Sequence, residues 1–366
     1  MKLTQSRKGL ALIAAAITVL ACMVLLELGL RLVGRRPSNM TDGIFEQYKN
    51  TYRLKKDLVK ISHTPSYTCK IVTNAHGFRD QGTGAAPIGR RPFVVYVGES
   101  LTFGNGVDFG ETFVGVSGRL LDREGMDVVN LAVGGHRFPE QEELLRDFLS
   151  SAPARPSAVL IVFSPMFIEG FEDARPGIVV KNGYIFDASN WFWPYVRVMM
   201  GNVSASYCFF RDNIRRIQVR FQGEGTAAIR AMLSSYAVSG RMNTPEVKNR
   251  LFDRIEAVDE LILAAGAVPV HVYLPLSTDF GLPEVLSELG EAGAEYDLGL
   301  YLTLLKEYSA GRDVPLIDVG PVLGELHRAG GKLNFEQDAH YNAEANSVIG
   351  EFITRALMEG IARGRS

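Results

Sequence analysis

The chain has 366 residues, of which 46% are hydrophobic and 22% charged, with a formal net charge of -2. That length suffices for one large α/β domain or two smaller ones around a buried core, and the near-neutral balance excludes a global attraction to nucleic acid. Three cysteines, Cys22, Cys69 and Cys208, exclude a disulfide-stapled mini-domain, and none has the CxxC spacing of a zinc site.

Residues 1 to 8 form a short tail carrying Lys2, Arg7 and Lys8. From Gly9 to Leu26 no residue is charged, and the apolar character resumes after Glu27 as LGLRLVG. That length predicts a transmembrane helix over 9–33. Arg31, Arg35 and Arg36 follow it, so cations flank both ends and the positive-inside rule does not orient it. Val19-Leu20-Ala21-Cys22 offers a weak lipoprotein cleavage box, but hydrophobicity continues past Cys22 where a processed signal turns polar. The expectation is an uncleaved anchor. Residues 34–92 read as a juxtamembrane lead-in that packs onto a domain, and Cys69 and Cys208 are able to pair if that domain lies outside the cytosol.

From residue 93 onward the pattern changes to short apolar runs separated by helical stretches. The runs are FVVYVG (93–98), VVNLAV (128–133), AVLIVF (158–163), VPVHVYLP (268–275) and VPLIDV (314–319). They are β-branched and apolar on both faces, as central strands of a covered parallel sheet must be. Amphipathic segments lie between them, at 139–150 and 245–265. The second opens with Thr244-Pro245, an N-cap followed by proline at the first helical position. Strands alternating with helices give βαβ units and a doubly wound α/β domain over 93–366. Residues 167–242 interrupt the alternation with aromatics (Trp191, Phe192, Trp193, Tyr195) and a basic run (Arg211, Arg215, Arg216), and read as an insertion over or beside the site. No repeat, low-complexity tract or nucleotide-binding glycine motif is present.

The sharpest local signal is VVYVGESLTFGNG at 94–106, where a strand ends in Gly98-Glu99-Ser100. In an open α/β sheet ligands bind beyond the carboxyl ends of the strands, so a serine there meets the site. Alone, Gly-x-Ser also fits a serine that merely caps a helix. Two further segments favour chemistry. Asn130-Leu131-Ala132-Val133-Gly134-Gly135 again places glycines at a strand's end, where the Gly135 N–H can face a developing oxyanion. Asp338-Ala339-His340 precedes a helical run; His340 can serve Ser100 as base and Asp338 can orient the imidazole. His136 follows Gly135 and faces the same end of the sheet. His63, His76, His271 and His327 lack clustered ligand partners and read as structural or surface residues.

On LELGLRL (26–32), TNAHGFRD (73–80), GESLTFGNGV (98–107), NLAVGG (130–135) and DAHYN (338–342), the sequence resembles the SGNH, or GDSL-like, hydrolase superfamily, in particular its membrane-anchored bacterial members. The resemblance implies a flavodoxin-like three-layer α/β/α sandwich with a central parallel sheet. It implies Ser100 as nucleophile, His340 as general base and Asp338 as the third triad member, with the Ser100 and Gly135 N–H groups in the oxyanion hole. It implies a periplasmic or extracytoplasmic placement of the domain, a cytoplasmic tail over residues 1–8, and an acylated carbohydrate or lipid substrate of the cell envelope. No metal, cofactor or nucleic acid is called for.

Three departures stand out. Gly98-Glu99-Ser100 replaces the usual GDS. Asp338 and His340 are two positions apart rather than three, as in anchored members and alginate-type O-acetyltransferases. After the third strand, Met166 in Phe163-Ser164-Pro165-Met166-Phe167 takes the place of the family's oxyanion asparagine. A thioether cannot donate a hydrogen bond, and losing such a donor costs about 10²–10³ in rate. Ser164, His136 or an insertion residue are the candidate substitutes. The reading is a serine esterase; the alternatives are a polysaccharide O-acetyltransferase and a catalytically weakened SGNH-fold scaffold.

Overall fold

The computed structural model describes residues 2–37, 43–64, 66–81, 88–172, 177–222, 233–289, 295–336 and 338–363. Gln337 and parts of the expected lead-in (38–42, 65, 82–87) and insertion (173–176, 223–232) lie outside the described residues.

The chain opens with helix α1 (Lys2–Leu32). Its stretch Ile13–Leu32 is long and apolar enough to cross a membrane, and is exposed along its length; a signal sequence has the same character. Two antiparallel hairpins follow, β1 (Phe45–Tyr48) with β2 (Thr51–Leu54) and β3 (Val59–His63) with β4 (Thr68–Val72). Their inward side chains Tyr52, Leu54, Cys69 and Ile71 belong to the core of the main domain.

The main domain begins with β5 (Phe93–Val97), α2 (Ser100–Phe103), α3 (Phe113–Arg123) and β6 (Asp127–Asn130). It continues through α4 (Phe138–Ser151), β7 (Ala158–Phe163) and α5 (Pro165–Glu169). A third hairpin, β8 (Ile178–Lys181) with β9 (Tyr184–Asp187), leads to α6 (Phe192–Val203) and α7 (Ala205–Gln222). Then come α8 (Pro245–Ala264), β10 (Val268–Tyr273), α9 (Leu282–Leu289), α10 (Leu300–Arg312), β11 (Leu316–Asp318) and α11 (Gly320–Arg328). The small hairpin β12 (Asn334–Phe335) with β13 (Asp338–Tyr341) precedes α12 (Ala343–Arg363).

Five strands form one parallel sheet in the order β11-β10-β7-β5-β6. Taken from the β6 edge this is the flavodoxin-like order, whose direction of winding reverses beside the first strand, here β5. The alternation of side chains sorts the helices into two layers. Phe93, Val95 and Val97 of β5, with Val159 and Ile161 of β7, pack with Leu145 of α4, Ile255 of α8 and Leu305 of α10. Val94 and Tyr96, with Leu160 and Val162, face the other way onto Val114 of α3, Leu323 of α11 and Ile349 and Ile353 of α12. Every residue of β5 and β7 is buried, which is why both read as continuous apolar runs. The domain is thus a three-layer α/β/α sandwich.

The apolar runs overshoot two strands. Pairing on β6 stops at Asn130, whose carboxamide accepts from Ala132 N and donates to Thr102 O, turning the chain toward the nucleophile loop. Val319 leaves β11 to become the N-cap of α11. Thr244 occupies the N-cap of α8, but its hydroxyl donates to Arg241 O instead of capping the helix. Cys69 and Cys208 are not joined by a disulfide.

Part of the insertion packs against the lead-in. Phe45 N donates to Gly183 O and Val180 N to Gln47 Oε1, so β8–β9 sits beside β1–β2. The α6 helix rests on β9 through the Phe186–Tyr195 ring pair and the Tyr184 Oη–Asn202 Oδ1 hydrogen bond of 3.0 Å.

Candidate active site

The β5 strand delivers the chain to the carboxyl edge of the sheet at the winding reversal, and Ser100 is the first residue of α2. The turn is tight. A Cβ on Gly98 would stand 2.3 Å from Thr102 Oγ1, so only glycine lets the strand close onto the helix. Beyond α2 the loop carries Gly106 at φ +96, with the Phe335 ring against it where a side chain would begin. Arg79, from the lead-in, is fully buried and donates to Phe103 O (2.7 Å), Gly104 O (2.6 Å) and Val107 O (2.5 Å). Those carbonyls lie where a helix end leaves acceptors without intrahelical partners.

The β12–β13 hairpin brings the other reacting groups. It is held from below by Tyr341 Oη donating to Pro275 O and Ser277 Oγ donating to Ala339 O at 2.7 Å. Ser100 Oγ lies 2.8 Å from His340 Nε2 as donor, and His340 Nδ1 donates to Asp338 Oδ1 at 2.5 Å. The same Asp338 oxygen accepts from His340 N at 2.9 Å, which holds the carboxylate against the imidazole despite their two-residue separation. Both side chains are partly exposed, at 22% and 25%. Burial pushes the Asp338 carboxyl upward, but the His340 ring N–H, backbone N–H and charge together outweigh it and hold the group below its ordinary value. Asp338 therefore stays an acceptor-only carboxylate suited to an imidazolium.

The remaining expected site residues fall as follows. Gly135 lies in the turn after β6, and its neighbour Gly134 borders the nucleophile: a Cβ there would stand 4.0 Å from Ser100 Cβ. Met166 is 60% exposed on α5. Ser164 and His136, the suggested replacement donors, are committed elsewhere. Ser164 Oγ donates to Glu99 Oε1 at 2.7 Å and accepts from Phe167 N as the N-cap of α5. His136 is buried, with Nε2 2.8 Å from Tyr52 O and Nδ1 3.1 Å from Gln141 Nε2. Glu99 is buried beside the triad. Among the other histidines, His271 is enclosed with Asp259 and Ser309. Among the described residues no group of three His, Cys, Asp or Glu is placed to hold a metal.

One residue escaped the sequence reading. Asn105, in the Gly104-Asn105-Gly106 loop, places Nδ2 3.3 Å from His340 Nε2, and its amide is 3.8–3.9 Å from the Cβ position of Gly134. It is an amide donor at the reacting centre. Its only signal was membership of the glycine-rich segment that follows Ser100. A separate cleft of about 220 Å³, lined by Tyr48, Arg53, His76, Phe78 and Phe148, lies between the lead-in and α4 and includes neither Ser100 nor His340.

No family model matches the chain, and no curated protein matches it. Among solved structures it is similar to the psychrotrophic esterase EstA from Pseudoalteromonas sp., at 12% identity and a TM-score of 0.40, over 74% of this chain and 98% of that one. It is similar to an aryl esterase from M. smegmatis at 10% identity and 0.40, over 73% and 99%. A G-D-S-L family protein from Desulfitobacterium hafniense stands at 16% and 0.37, over 72% and 98%. These likenesses are remote, and the chemistry is read from the side chains of the site itself.

Glu99 yields a pH test. Burial, foremost, raises its carboxyl above the ordinary 4.5, against the Ser164 bond and the His340 charge. With the folded value raised, the native state holds a proton that the unfolded chain releases, so this contribution is present below about pH 4.5 and is lost as pH rises through the folded value. In Glu99→Gln, which keeps an oxygen to accept from Ser164, thermal unfolding of the full chain in detergent should show a stability gain over wild type that grows from pH 5 to pH 8. Parallel pH curves for the two proteins would contradict the assignment.

Proposed function

We propose that the chain is a serine esterase that acts through an acyl-Ser100 intermediate. The observation that carries this reading is the continuous relay Ser100 Oγ–His340 Nε2 (2.8 Å) and His340 Nδ1–Asp338 Oδ1 (2.5 Å) at the carboxyl edge of a parallel sheet. A serine hydroxyl is a weak nucleophile until a base within hydrogen-bond reach takes its proton. His340 accepts that proton as Ser100 Oγ attacks the ester carbonyl, and Asp338 stabilises the imidazolium. His340 then returns the proton to the departing alcohol oxygen. Water completes hydrolysis by the reverse sequence.

The tetrahedral oxyanion needs donors aimed at it. The N–H of Ser100 lies in the first turn of α2, where helix geometry provides no intrahelical acceptor and the Glu99 side chain makes no cap. Gly135 supplies a second N–H in the roles that the family resemblance implies. In place of the amide lost at Met166, Asn105 Nδ2 is the side-chain donor: it lies 3.3 Å from His340 Nε2, whose lone pair takes the closer Ser100 hydroxyl at 2.8 Å, so its N–H is available to the oxyanion. The apolar helix α1 favours a site held at a membrane, and the family resemblance is what suggests an O-acylated glycan or lipid of the envelope and an extracytoplasmic domain. Transfer to a polysaccharide hydroxyl uses the same acyl-enzyme and differs only in the acceptor. The exposed Met166 is what favours a non-catalytic scaffold, and the relay with Asn105 beside it weighs against that reading.

A fluorophosphonate probe should label the full-length protein and fail to label Ser100→Ala; a folded wild type that stays unlabelled would sink the enzyme reading. For Asn105→Ala, hydrolysis of p-nitrophenyl acetate should fall about 10²–10³ in kcat with KM little changed, while Met166→Ala stays near wild type. An unchanged kcat in Asn105→Ala would place the oxyanion donor elsewhere.

A further inference from the structure

The α6–α7 pair is amphipathic in the reverse sense for a helix on a water-facing surface. Gly201, Ala205 and Cys208 face inward and are buried, whereas Phe192, Trp193 and Val203 on α6 and Phe210 and Ile214 on α7 are each more than half exposed. On α6 the exposed Trp193, Met200 and Val203, and on α7 Phe210 and Ile214, recur at helical spacing, so each helix carries a stripe rather than scattered single side chains. Exposed apolar stripes on two neighbouring helices mark a contact with a partner or a membrane.

The place of the stripe is set by polar contacts to α1. The Glu27 carboxylate accepts from Ala205 N (3.0 Å), Ser206 N (2.9 Å), Ser204 Oγ (3.0 Å) and Ser206 Oγ (2.7 Å), so it caps the start of α7 from another element. One turn later Arg31 donates through Nη2 to Val203 O at the end of α6, and through Nε to Glu27, each at 2.7 Å. The elbow between α6 and α7 is thereby fastened to the last two turns of the apolar stretch Ile13–Leu32. Leu28, Leu32 and Val33 at the α1 end are exposed apolar residues as well.

We propose that α6 and α7 lie in the headgroup–acyl boundary of the bilayer as a second membrane contact, clamped to the anchor by Glu27 and Arg31 and setting the attitude of the main domain on the membrane. Attachment to α1 through Glu27 and Arg31 identifies the occupant as lipid, because a helix fastened at the end of a span sits at interfacial depth. Trp193 and Phe192 supply the aromatic surface favoured there, and the exposed Arg197 lies among them with a stem long enough to reach headgroups. The inference rests on reading α1 as a membrane span and is independent of the esterase reading.

The chain has two tryptophans, Trp191 and Trp193, so Trp191→Phe leaves one reporter on the stripe. The full-length variant is reconstituted into phosphatidylcholine–phosphatidylglycerol vesicles containing lipids brominated at a shallow acyl position. Trp193 emission should be quenched strongly by the bromolipid and weakly by aqueous iodide. Adding Glu27→Ala should abolish most of the bromolipid quenching while the protein still resists alkaline carbonate extraction. Quenching by iodide alone would overturn the inference, as would shielding from both quenchers that is relieved on diluting the protein in lipid, the mark of a second copy on the stripe. Release of the parent protein by carbonate would overturn the span reading itself, whatever the fluorophosphonate labelling shows.

Discussion

Three backbone carbonyls, those of Phe103 and Gly104 at the end of the nucleophile helix and of Val107 in the loop beyond it, converge on the guanidinium of Arg79. The arginine is buried, and a charge withdrawn from water is tolerated only when hydrogen bonds replace its hydration. The carbonyls have the complementary need, since a buried acceptor left without a donor costs about 1–3 kcal/mol. Neither side of this contact is satisfied without the other, so the lead-in and the catalytic loop form one unit. The loop in turn fixes Asn105 and Gly106, and through the Phe335 ring against Gly106 it meets the hairpin that carries His340. The site therefore depends on a residue that is distant from Ser100 in sequence and takes no part in the chemistry proposed for it.

The sheet supplies position and the loops supply chemistry. β5 and β7 are buried on both faces and leave little freedom to the backbone that emerges from them. At their carboxyl ends the polar groups divide the work. Glu99 and Ser164 satisfy each other beneath the site, while Ser100, Asn105 and His340 face one another above it. That division explains why Ser164, adjacent to Met166, is unsuited to replace the missing amide: its hydroxyl proton is already given to Glu99 and its oxygen already caps α5.

Much of this was legible in the sequence. The five sheet strands announce themselves because a strand covered on both faces is predominantly apolar, and the β-branched runs at 93–98, 128–133, 158–163, 268–275 and 314–319 each overlap one. Ser100, Asp338 and His340 were legible because a strand-end serine and a later Asp-x-His stand in the chain order of the triad that the family resemblance implies, and the fold brings their side chains into contact. Their roles remain proposals. What could not be read were the contacts that fold back across long separations. Asn105 looked like a loop residue because nothing local shows that His340 arrives beside it. His136 looked site-facing, yet its ring turns under the lead-in to Tyr52 and Gln141. Glu27, in an apolar helix, reads as an interruption until Ser204, Ala205 and Ser206 are seen around its carboxylate.

The central claim is that Ser100 carries the acyl group during turnover. The most direct measurement mixes the full-length protein with p-nitrophenyl acetate, quenches in acid within the first turnover, and locates any adduct by peptide mass spectrometry. An acetyl group on the peptide containing Ser100, formed with the first release of p-nitrophenol, is the predicted result. A first turnover that leaves Ser100 unmodified, or that places the acetyl group on another side chain, would contradict the account.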